Sequence, residues 1–500
     1  MGIIAKQGSW NFVIIYLGVI LGTLNNMFLM PHALNKYELG IISVLLSLTL
    51  IGAQVSLFGG TQAIIKFYPR YKGSKYEFGL VNYLLRNTLI SLVFSIGIYL
   101  FFREYIIEAF SDTSSLFGKY YFLYIPLLTF FVFQEFFGGY LRSLLKTVYH
   151  SVIKEIILRV YQSALYVLLL IDWIQFDLFL MCYVCGYLLT TTLIILGVRK
   201  HSGFVLFRPF RKEKKEKRSV MKFCSAIFTT GIAGALLSNI DIIMIGAMAP
   251  LFLGNEGLEL AGVYGRMAYM AVLITIPLRS ILSIAVPMIS KAWEEGRRAE
   301  LKSIYKKSSL TLTILGLVSF VGIWANIDNV FRIFPVGFEI GKYVFLYLAF
   351  GNLMQTVLGT NGPIISNSPH YWVSGIAVPL LAAMVIVTNI IFIPRYGIEG
   401  AAFATMGSRL VFSVGVYLFL LLKYKMQPVT WRNLYVGLIA SITLLVVALI
   451  PTFESIVMDV IIRSVTVLIL FLPAIIIPKI SPEINGMITK ILGQLKLRKS

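Results

Sequence analysis

Ionisable side chains are scarce in this chain of 500 residues, because Asp, Glu, Lys and Arg together make up only 13% of it. A soluble domain carries about 25% charged residues. Hydrophobic residues account for 58% of the chain, and its mean hydropathy is +0.83. These values exclude an ordinary soluble domain and predict an all-α protein that crosses a membrane many times.

Cysteine and histidine are also rare, with three and four copies. Cys182 and Cys185 form a CxxC pair inside an apolar run without partner ligands, so we interpret the pair as helix packing. Three cysteines predict no disulfide framework. The sequence shows neither metal-ligand spacing nor a phosphate-binding loop nor a catalytic cluster. We therefore expect no metal, no cofactor and no enzymatic activity.

Acidic residues are the scarcer charged class, with 23 Asp and Glu against 44 Lys and Arg, for a net charge of +21. In a membrane protein this excess is expected in cytoplasmic loops, and it does not call for a nucleic-acid partner. The lysines and arginines lie mainly in alternate loops. Their distribution predicts that both termini are cytoplasmic and that the number of spans is even.

Long apolar stretches are abundant, and a spanning helix needs about 20 such residues. We predict fourteen spans. The eighth is overlong, and Pro277 offers it a place to bend. The predicted spans are 10–32, 39–65, 79–102, 119–142, 154–173, 177–198, 222–249, 258–290, 307–327, 340–365, 371–393, 398–422, 433–451 and 456–478.

Weak internal similarity relates the two halves of the chain. "NNMFLMPHAL", which begins at Asn25, is similar to "NIDIIMIGAM", which begins at Asn239. Gly139 and His150 have counterparts at the same spacing in Gly359 and His370. The offset maps the first six spans onto the next six. Because six is even, the copies share one orientation, which predicts parallel repeats about an axis along the membrane normal.

This repeat predicts the domain organisation. The loop between the repeats contains "RKEKKEKR" (Arg211 to Arg218), which we interpret as a solvated topology signal, with binding of anionic lipid head groups as the alternative. The tail predicts an amphipathic helix on the inner membrane surface. The predicted parts are an N-terminal lobe (1–198), a basic cytoplasmic linker (199–221), a C-terminal lobe (222–427), two extra helices (428–478) and a basic amphipathic cytoplasmic tail (479–500).

Ionisable residues inside the predicted spans are candidate functional residues, because such residues usually face a cavity or a partner. Asp241 and Arg266 each lie about 12 Å below the outer ends of adjacent helices, at about 1.5 Å per residue. They form either a structural salt bridge or a substrate-facing Arg266 steadied by Asp241. Arg279 lies about 140° around a straight helix from Arg266. The two can share one face only if Pro277 redirects the helix.

The other intramembrane charges fall into two groups. Arg409 is deep, and it either meets substrate or bonds to interhelical carbonyl groups. We expect Arg86 to pair with Glu135 across the third and fourth spans. Arg159 and Arg463 lie near helix ends, where we expect their side chains to snorkel to the interface.

Several of these segments resemble a known group of transporters. "NIDIIMIGAM", "AGVYGRMAYM", "IPLRSILSIAVPMIS" and "NIIFIPRYGIEGAAFATMGSR" are similar to segments of Wzx-like polysaccharide flippases of the multidrug/oligosaccharidyl-lipid/polysaccharide (MOP) exporter superfamily. The resemblance covers essentially the whole chain, including the plan of six, six and two helices. It implies two six-helix lobes in a V, a central cavity lined by helices one, two, seven and eight, and alternating access.

The resemblance also implies a role for one arginine. Lipid II flippases of this superfamily carry a cavity-facing arginine in a Tyr-x-x-Arg context on helix eight, implicated with the substrate diphosphate. Here "YGR" places Arg266 one residue closer to Tyr264. The cations that those flippases carry on helices one and two are replaced by Asn25, Asn26 and Gln62.

The function implied is export of a polyprenyl-diphosphate-linked oligosaccharide, such as an O-antigen repeat unit, across the bacterial inner membrane. We expect contacts with membrane lipids, coupling to H+ or Na+, and a polysaccharide polymerase as a candidate partner. The alternatives are a multidrug cation antiporter and a membrane glycosyltransferase or polymerase. Arginines outnumber acids among these candidate intramembrane charges and outer loops are short, which favours the flippase. The predicted substrate-binding residues are Arg266, Arg409, Arg279, Arg86, Asn25, Asn26, Gln62 and Tyr264, with Asp241 and Glu135 as orienting or ion-coupling residues.

Overall fold

The computed structural model describes residues 2–111, 116–210, 212, 214–253, 257–483 and 485–486. Every regular element in these ranges is a helix, as the sequence predicts. Eleven of the helices are long and apolar enough to cross a membrane. The chain is therefore a multi-pass membrane protein. The predicted amphipathic tail lies almost wholly outside the described residues, and so does part of the "RKEKKEKR" run.

The first half of the chain forms thirteen α-helices with two π-helical segments, Leu24–Leu29 and Val152–Ile157, and one 3-10 turn, Tyr121–Leu123. The α-helices are α1 (Gly2–Thr23), α2 (Met30–Ala33), α3 (Lys36–Leu57), α4 (Gly60–Tyr71), α5 (Glu77–Phe101), α6 (Arg103–Ser111), α7 (Leu116–Tyr120), α8 (Tyr124–Ser143), α9 (Thr147–Ser151), α10 (Leu158–Leu170), α11 (Phe176–Ser202), α12 (Lys214–Leu253) and α13 (Gly257–Val272).

The second half adds eight α-helices and the 3-10 turns Leu273–Thr275 and Glu339–Gly341. The α-helices are α14 (Ile276–Glu294), α15 (Arg298–Ala325), α16 (Ile327–Ile333), α17 (Lys342–Val357), α18 (Asn361–Ser366), α19 (Trp372–Tyr424), α20 (Trp431–Ala448) and α21 (Ile456–Ile476).

Three features separate the fourteen predicted spans from the eleven long helices. The predicted span 154–173 begins in the π-helical segment Val152–Ile157 and continues as α10. The predicted span 340–365 is divided into α17 and α18 at Gly359, whose φ is 61°. The spans 371–393 and 398–422 merge into α19, which breaks only at Gly397 with φ 58° and ψ −137°. The count of fourteen stays a prediction.

Local sequence signals set several helix boundaries. α3 starts with a capping box, in which Asn35 Oδ1 accepts from the Glu38 amide at 2.8 Å and Glu38 Oε2 accepts from the Asn35 amide at 3.0 Å. α3 and α4 separate where Gly59 takes a φ of 70°. Where the sequence offers the eighth span a place to bend, the 3-10 turn Leu273–Thr275 separates α13 from α14, and Pro277 lies in the first turn of α14.

The chain divides into two compact units. The first comprises residues 1–266 and 389–398, and the second comprises residues 267–388 and 399–500. The division passes through α13, whereas the sequence predicts a linker at 199–221. The predicted repeats and domain boundaries stay predictions, because they describe an internal similarity that the division does not address.

Within the first unit, α3 is the central helix and packs against α5, α8 and α12. Glycines let α13 approach α3 closely. A Cβ on Gly40 would lie 1.9 Å from the Leu258 carbonyl oxygen, and a Cβ on Gly262 would lie 2.5 Å from the Lys36 carbonyl oxygen. Small residues at such crossings are typical of packing between membrane helices. This contact fixes the position of the residues that follow Gly262 on α13.

Within the second unit, α15 packs against α14, α17, α20 and α21. One core of this unit is apolar and joins α14, α15, α18 and α19. Its fully buried members include Ile289, Leu301, Tyr305 and Leu420. Burial of side chains of this size stabilises a fold in water by about 1.5–3 kcal/mol each. Inside a bilayer the gain comes chiefly from close packing.

Candidate functional site

Arg266 lies on α13 and is only 5% exposed. Its guanidinium group donates to Asn26 Oδ1 at 3.1 Å, to Ser43 Oγ at 3.1 Å and to Met30 Sδ at 2.6 Å. These partners come from the first π-helical segment, from α3 and from α2. Three separate segments therefore orient one buried cation, and the close contact of Gly262 with α3 brings it within reach of Ser43.

The π-helical segment Leu24–Leu29 lets two adjacent asparagines serve different neighbours. Asn26 accepts from Arg266, and its amide nitrogen bonds back to the Gly22 carbonyl at 2.9 Å. Asn25 is 2% exposed; it donates to the Arg159 carbonyl at 2.9 Å and accepts from Ser163 at 2.6 Å. π-Helical turns are often found at functional sites. In this structure both asparagines serve the protein framework, and sugar contacts by them stay a prediction.

Asp241 is held in a second polar cluster of the first unit. It is 6% exposed. Its Oδ2 accepts from the Tyr264 hydroxyl at 2.5 Å, and its Oδ1 accepts from Asn389 Nδ2 at 2.7 Å. Such bonds offset the cost of burying a carboxylate. Because Tyr264 and Arg266 are two residues apart on α13, that helix links this cluster to Arg266.

The two polar clusters bear on the alternatives for Asp241 and Arg266. The hydrogen bonds described for Asp241 go to Tyr264 and Asn389, and those of Arg266 go to Asn26, Ser43 and Met30. Both alternatives, a structural salt bridge and a substrate-facing Arg266, stay open. The role of Asp241 in steadying Arg266 stays a prediction.

Arg409 is the corresponding anchored arginine of the second unit. It lies on α19 and donates to the side-chain oxygen of Asn352. Asn352 is 4% exposed and in turn donates to the Ala271 carbonyl at 2.9 Å. Arg409 is half-buried. One of its partners is therefore an amide side chain. Both predicted roles, substrate contact and bonds to interhelical carbonyl groups, stay predictions.

Three other predicted substrate residues lie on exposed faces. Arg279 is exposed on α14, beyond the 3-10 turn, and Gln62 is exposed on α4. Arg86 is exposed on α5 and lies 5.5 Å from the centre of the Tyr83 ring. Their substrate contacts stay predictions.

The expected pairing of Arg86 with Glu135 is wrong in this structure. Glu135 on α8 forms an ion pair with Lys154, which lies on the second π-helical segment. The sequence put Glu135 and Arg86 at similar depth, but depth does not fix the face of a helix. Glu135 is consequently neutralised by a neighbour, which argues for a structural role rather than ion coupling.

Arg159 and Arg463 were expected to snorkel to the interface, which stays a prediction, and both form ion pairs. Arg159 pairs with Glu155 at 2.7 Å, and Arg463 pairs with Asp459 at 2.8 Å. Both pairs have i, i+4 spacing, which places the two side chains on one helix face. That spacing was available in the sequence. When Glu155 and Asp459 are added to the candidate intramembrane charges, the excess of arginines over acids becomes smaller.

Sequence reasoning missed the neighbours that hold the two central charges. Asn389, Ser43 and Met30 were not predicted as site residues, although Asn389 stands in one of the segments that carry the family resemblance. An isolated asparagine in an apolar run signals a buried polar partner. Asn389 is fully buried and reaches Asp241. Ser43 and Met30 gave no such signal, because serine and methionine are common in membrane helices.

No family model and no curated protein matches the chain. Solved structures do. "Lipid II flippase MurJ, inward closed conformation" is 16% identical with a TM-score of 0.73, covering 93% of this chain and 97% of that one. An inward-facing "multidrug resistance MATE family transporter of the MOP superfamily" is 14% identical with a TM-score of 0.58, covering 82% and 97%. A "MATE in complex with MaL6" is 12% identical with a TM-score of 0.56, covering 83% and 94%.

These likenesses show that the chain shares the fold of these solved structures. Membership of the predicted superfamily stays a prediction. One similar structure is a flippase and the other two are MATE transporters, so the fold alone does not choose between the two classes.

Proposed function

We propose that this chain is a flippase that moves a polyprenyl-diphosphate-linked oligosaccharide across a bacterial inner membrane by alternating access. The fold supports a transporter. The observation that carries the proposal is Arg266, a buried guanidinium group oriented by Asn26, Ser43 and Met30. An arginine at the middle of a membrane helix costs about 2.5–3.5 kcal/mol on insertion scales. A required interaction with an anionic substrate accounts for its presence.

Arginine suits a diphosphate for a physical reason. The guanidinium group stays charged and offers a planar fork of N–H donors to phosphate oxygens. The attraction between opposite charges is stronger at the low effective dielectric of a protein interior than in bulk water. Arg409, anchored by Asn352, offers a second fork of this kind in the other unit.

Arg266 is shielded from solvent in the structure, so substrate can reach it only after a rearrangement. Alternating access supplies such a rearrangement. We assign diphosphate binding first to Arg266 and Arg409. Arg279 is the next candidate, and Gln62 with Asn26 and Tyr264 are candidates for sugar hydroxyl groups. Both termini are proposed to be cytoplasmic, as the loop charges predict.

A multidrug cation antiporter is the second candidate function. The observation that favours it is the buried carboxylate of Asp241, which accepts hydrogen bonds from Tyr264 and Asn389. The same carboxylate serves a flippase as a site for H+ or Na+ coupling. The candidates therefore differ in the transported substrate, not in the presence of Asp241. A polymerase partner and the sugar structure belong to the flippase proposal.

The experiment that separates the candidates uses purified protein in proteoliposomes. A fluorescent polyprenyl-diphosphate oligosaccharide and a lipophilic fluorescent cation are offered in parallel. We expect wild-type protein to move the diphosphate lipid and Arg266→Ala to lose that activity. Arg395→Ala, which removes an exposed arginine on another helix face, serves as the matched control. Transport of the cation without transport of the diphosphate lipid would contradict the proposal.

A further inference from the structure

A short apolar segment interrupts the basic connection between α11 and α12. The segment "GFVLFRPF" occupies residues 203–210. It is fixed to α5 by one side chain, since Asn82 donates to the Val205 carbonyl at 2.9 Å and accepts from the Phe207 amide at 3.2 Å. Phe204 and Phe210 anchor the two ends by packing against aromatic rings, including Phe78 and Tyr71. The segment therefore has a defined conformation.

This fixed segment displays apolar side chains that nothing in the described residues covers. Phe207 is 93% exposed, and Leu206 and Val205 are 46% and 43% exposed. Phe207 also has a φ of 63°, a left-handed conformation that is a genuine outlier for a bulky residue. Strain at such a position persists only where the surroundings impose it, and it is concentrated at functional sites. An exposed, strained phenylalanine outside the spans is unfavourable in water but suits contact with lipid.

Two adjoining cavities lie beneath the segment. One has a volume of about 660 Å³, and the other has a volume of about 680 Å³. They share Leu85 and Leu206 as lining residues. The first also contains three cations, Arg86, Arg208 and Lys217. A cluster of positive charge therefore adjoins two apolar spaces.

The nearby acids are engaged elsewhere. Glu77 accepts from the Gly73 amide at 2.7 Å, and Glu216 accepts from the Tyr71 hydroxyl at 3.2 Å and pairs with Lys212. Among the described residues, Arg86, Arg208 and Lys217 form no ion pair with an acid. Arg86 is also the intramembrane arginine whose expected partner, Glu135, is paired with Lys154.

We propose that these cavities bind one anionic phospholipid from the leaflet that meets the loop between α11 and α12. Its phosphate lies among Arg86, Arg208 and Lys217. Its two acyl chains occupy the two cavities along Leu85 and Leu206, with Phe207 in contact with the chains. Basic pockets between membrane helices bind anionic head groups in this way. Two separate apolar spaces fit a two-chain phospholipid better than a single polyprenyl chain.

The proposal concerns a resident lipid and does not depend on the transported substrate. The bound lipid holds the segment 203–210 against α5 and so orders the start of α12, the helix that carries Asp241. We therefore expect binding of the lipid to raise the melting temperature of the protein.

The test uses full-length protein in a neutral detergent, with its melting temperature followed against added phosphatidylglycerol. Phosphatidylcholine, inorganic phosphate and a polyprenyl diphosphate are the comparison ligands. The variant combines Arg86→Gln, Arg208→Gln and Lys217→Gln. The matched control combines Arg70→Gln, Lys72→Gln and Lys75→Gln, which removes the same charge from another exposed basic stretch.

We expect phosphatidylglycerol to raise the melting temperature of wild-type and control protein, and the variant to need about tenfold more lipid or more for half the effect. The proposal is overturned if the response to phosphatidylglycerol falls equally in the control and in the variant, since equal losses indicate non-specific attraction between lipid and basic residues. It is also overturned if phosphatidylcholine, inorganic phosphate or polyprenyl diphosphate matches phosphatidylglycerol in wild type.

If the triple variant does not fold, Phe207→Ser decides the question. This substitution keeps all three cations and removes the proposed contact with the acyl chains. We expect a reduced response to phosphatidylglycerol, while an unchanged response overturns the proposal.

Discussion

Arg266 shows how a single residue in a membrane helix can be identified from the sequence while its surroundings cannot. Its depth and its apolar context make it a candidate functional residue, and in the structure it is buried and oriented by hydrogen bonds. Ser43 and Met30, which orient it, are indistinguishable in the sequence from residues that face lipid. The ion pairs that Glu155 and Asp459 form could have been inferred from their i, i+4 spacing. Depth alone gave the wrong partner for Glu135. Depth follows from counting residues, whereas pairing depends on the rotation of each helix.

The first prediction at this scale concerns the charge of Arg266. Arg266→Ala removes the fork that holds the diphosphate, and hydrogen bonds to charged groups contribute about 1.5–3 kcal/mol. We expect transport of the diphosphate lipid to fall by about tenfold to a hundredfold, because 1.36 kcal/mol corresponds to a tenfold change. Arg266→Lys should recover only part of the rate, since lysine lacks the planar fork.

Initial flipping rates in proteoliposomes measure this effect, and Arg395→Ala is the control. Equal amounts of inserted protein with equal melting temperatures show that the loss is not one of folding. Wild-type rates for the alanine variant at equal protein would refute the role of Arg266.

The second prediction concerns coupling between Asp241 and Arg266. Asp241 holds Tyr264, which lies two residues before Arg266 on α13. Asp241→Asn should therefore disturb the same arginine that Arg266→Gln removes. A double-mutant cycle on the flipping rate should give a coupling free energy of about 0.5–3 kcal/mol. Strictly additive losses would show that the two residues act separately.

At the scale of helices, hydropathy identifies the apolar segments, and glycine geometry decides how they are divided. Predicted and observed segments coincide closely because a run of about 20 apolar residues leaves few alternatives. The break between α17 and α18 was missed because a positive φ at Gly359 does not change hydropathy. The break at Gly397 was predicted, since Pro394 and Gly397 form a turn signal. The contact of α13 with α3 through Gly40 and Gly262 was not predicted, because one sequence does not state which helices meet.

The third prediction tests that contact. A leucine at Gly262 cannot be placed beside the Lys36 carbonyl oxygen, since even a Cβ would lie 2.5 Å from it. Gly262→Leu should separate α13 from α3 and loosen the bond from Arg266 to Ser43. We expect a cysteine introduced at Ser43, in a background without Cys182, Cys185 and Cys224, to react several-fold faster with a maleimide.

The matched control is Gly97→Leu on α5, where an added Cβ has nothing within 4 Å. Labelling in this control should stay at the parental rate. If Gly262→Leu labels no faster than Gly97→Leu, the glycine contact does not hold Arg266 in its buried position.

For the molecule as a whole, composition predicted the class, whereas the organisation inferred from the repeat offset stays a prediction. The structure divides at Arg266, because α12 and the start of α13 pack with α3 in the first unit. A sequence repeat describes internal similarity between parts of the chain, whereas contacts describe one conformation. The two descriptions need not agree.

The fourth prediction concerns the driving force of the proposed transport. The proposed substrate is an anion that moves outward from a cell whose interior is negative. Outward movement of one negative charge is favoured by about 2.3 kcal/mol per 100 mV. The arginines stay with the protein, so they lower the barrier without cancelling this field. We expect the membrane potential alone to accelerate export, with H+ or Na+ at Asp241 secondary.

Proteoliposomes with a potassium and valinomycin potential, and with equal pH and sodium on both sides, provide the measurement. Inside-negative vesicles with inside-facing substrate should flip faster than depolarised ones. Rates that ignore the potential and follow only a sodium or proton gradient would reverse the order of importance and make Asp241 the main coupling residue.

The ion pair between Asp459 and Arg463 on α21 has a consequence for biosynthesis. Asp459 also accepts from Asn329 on α16, and Arg463 donates to the Val447 carbonyl of α20 at 3.1 Å. The charges of α21 are thus satisfied by segments that are made earlier, and a misassembled chain exposes both charges to lipid. We expect Asn329→Leu, far from Arg266 in sequence, to shorten the cellular half-life of newly made protein in pulse-chase experiments. An unchanged half-life would show that loss of this contact does not lead to degradation of newly made protein.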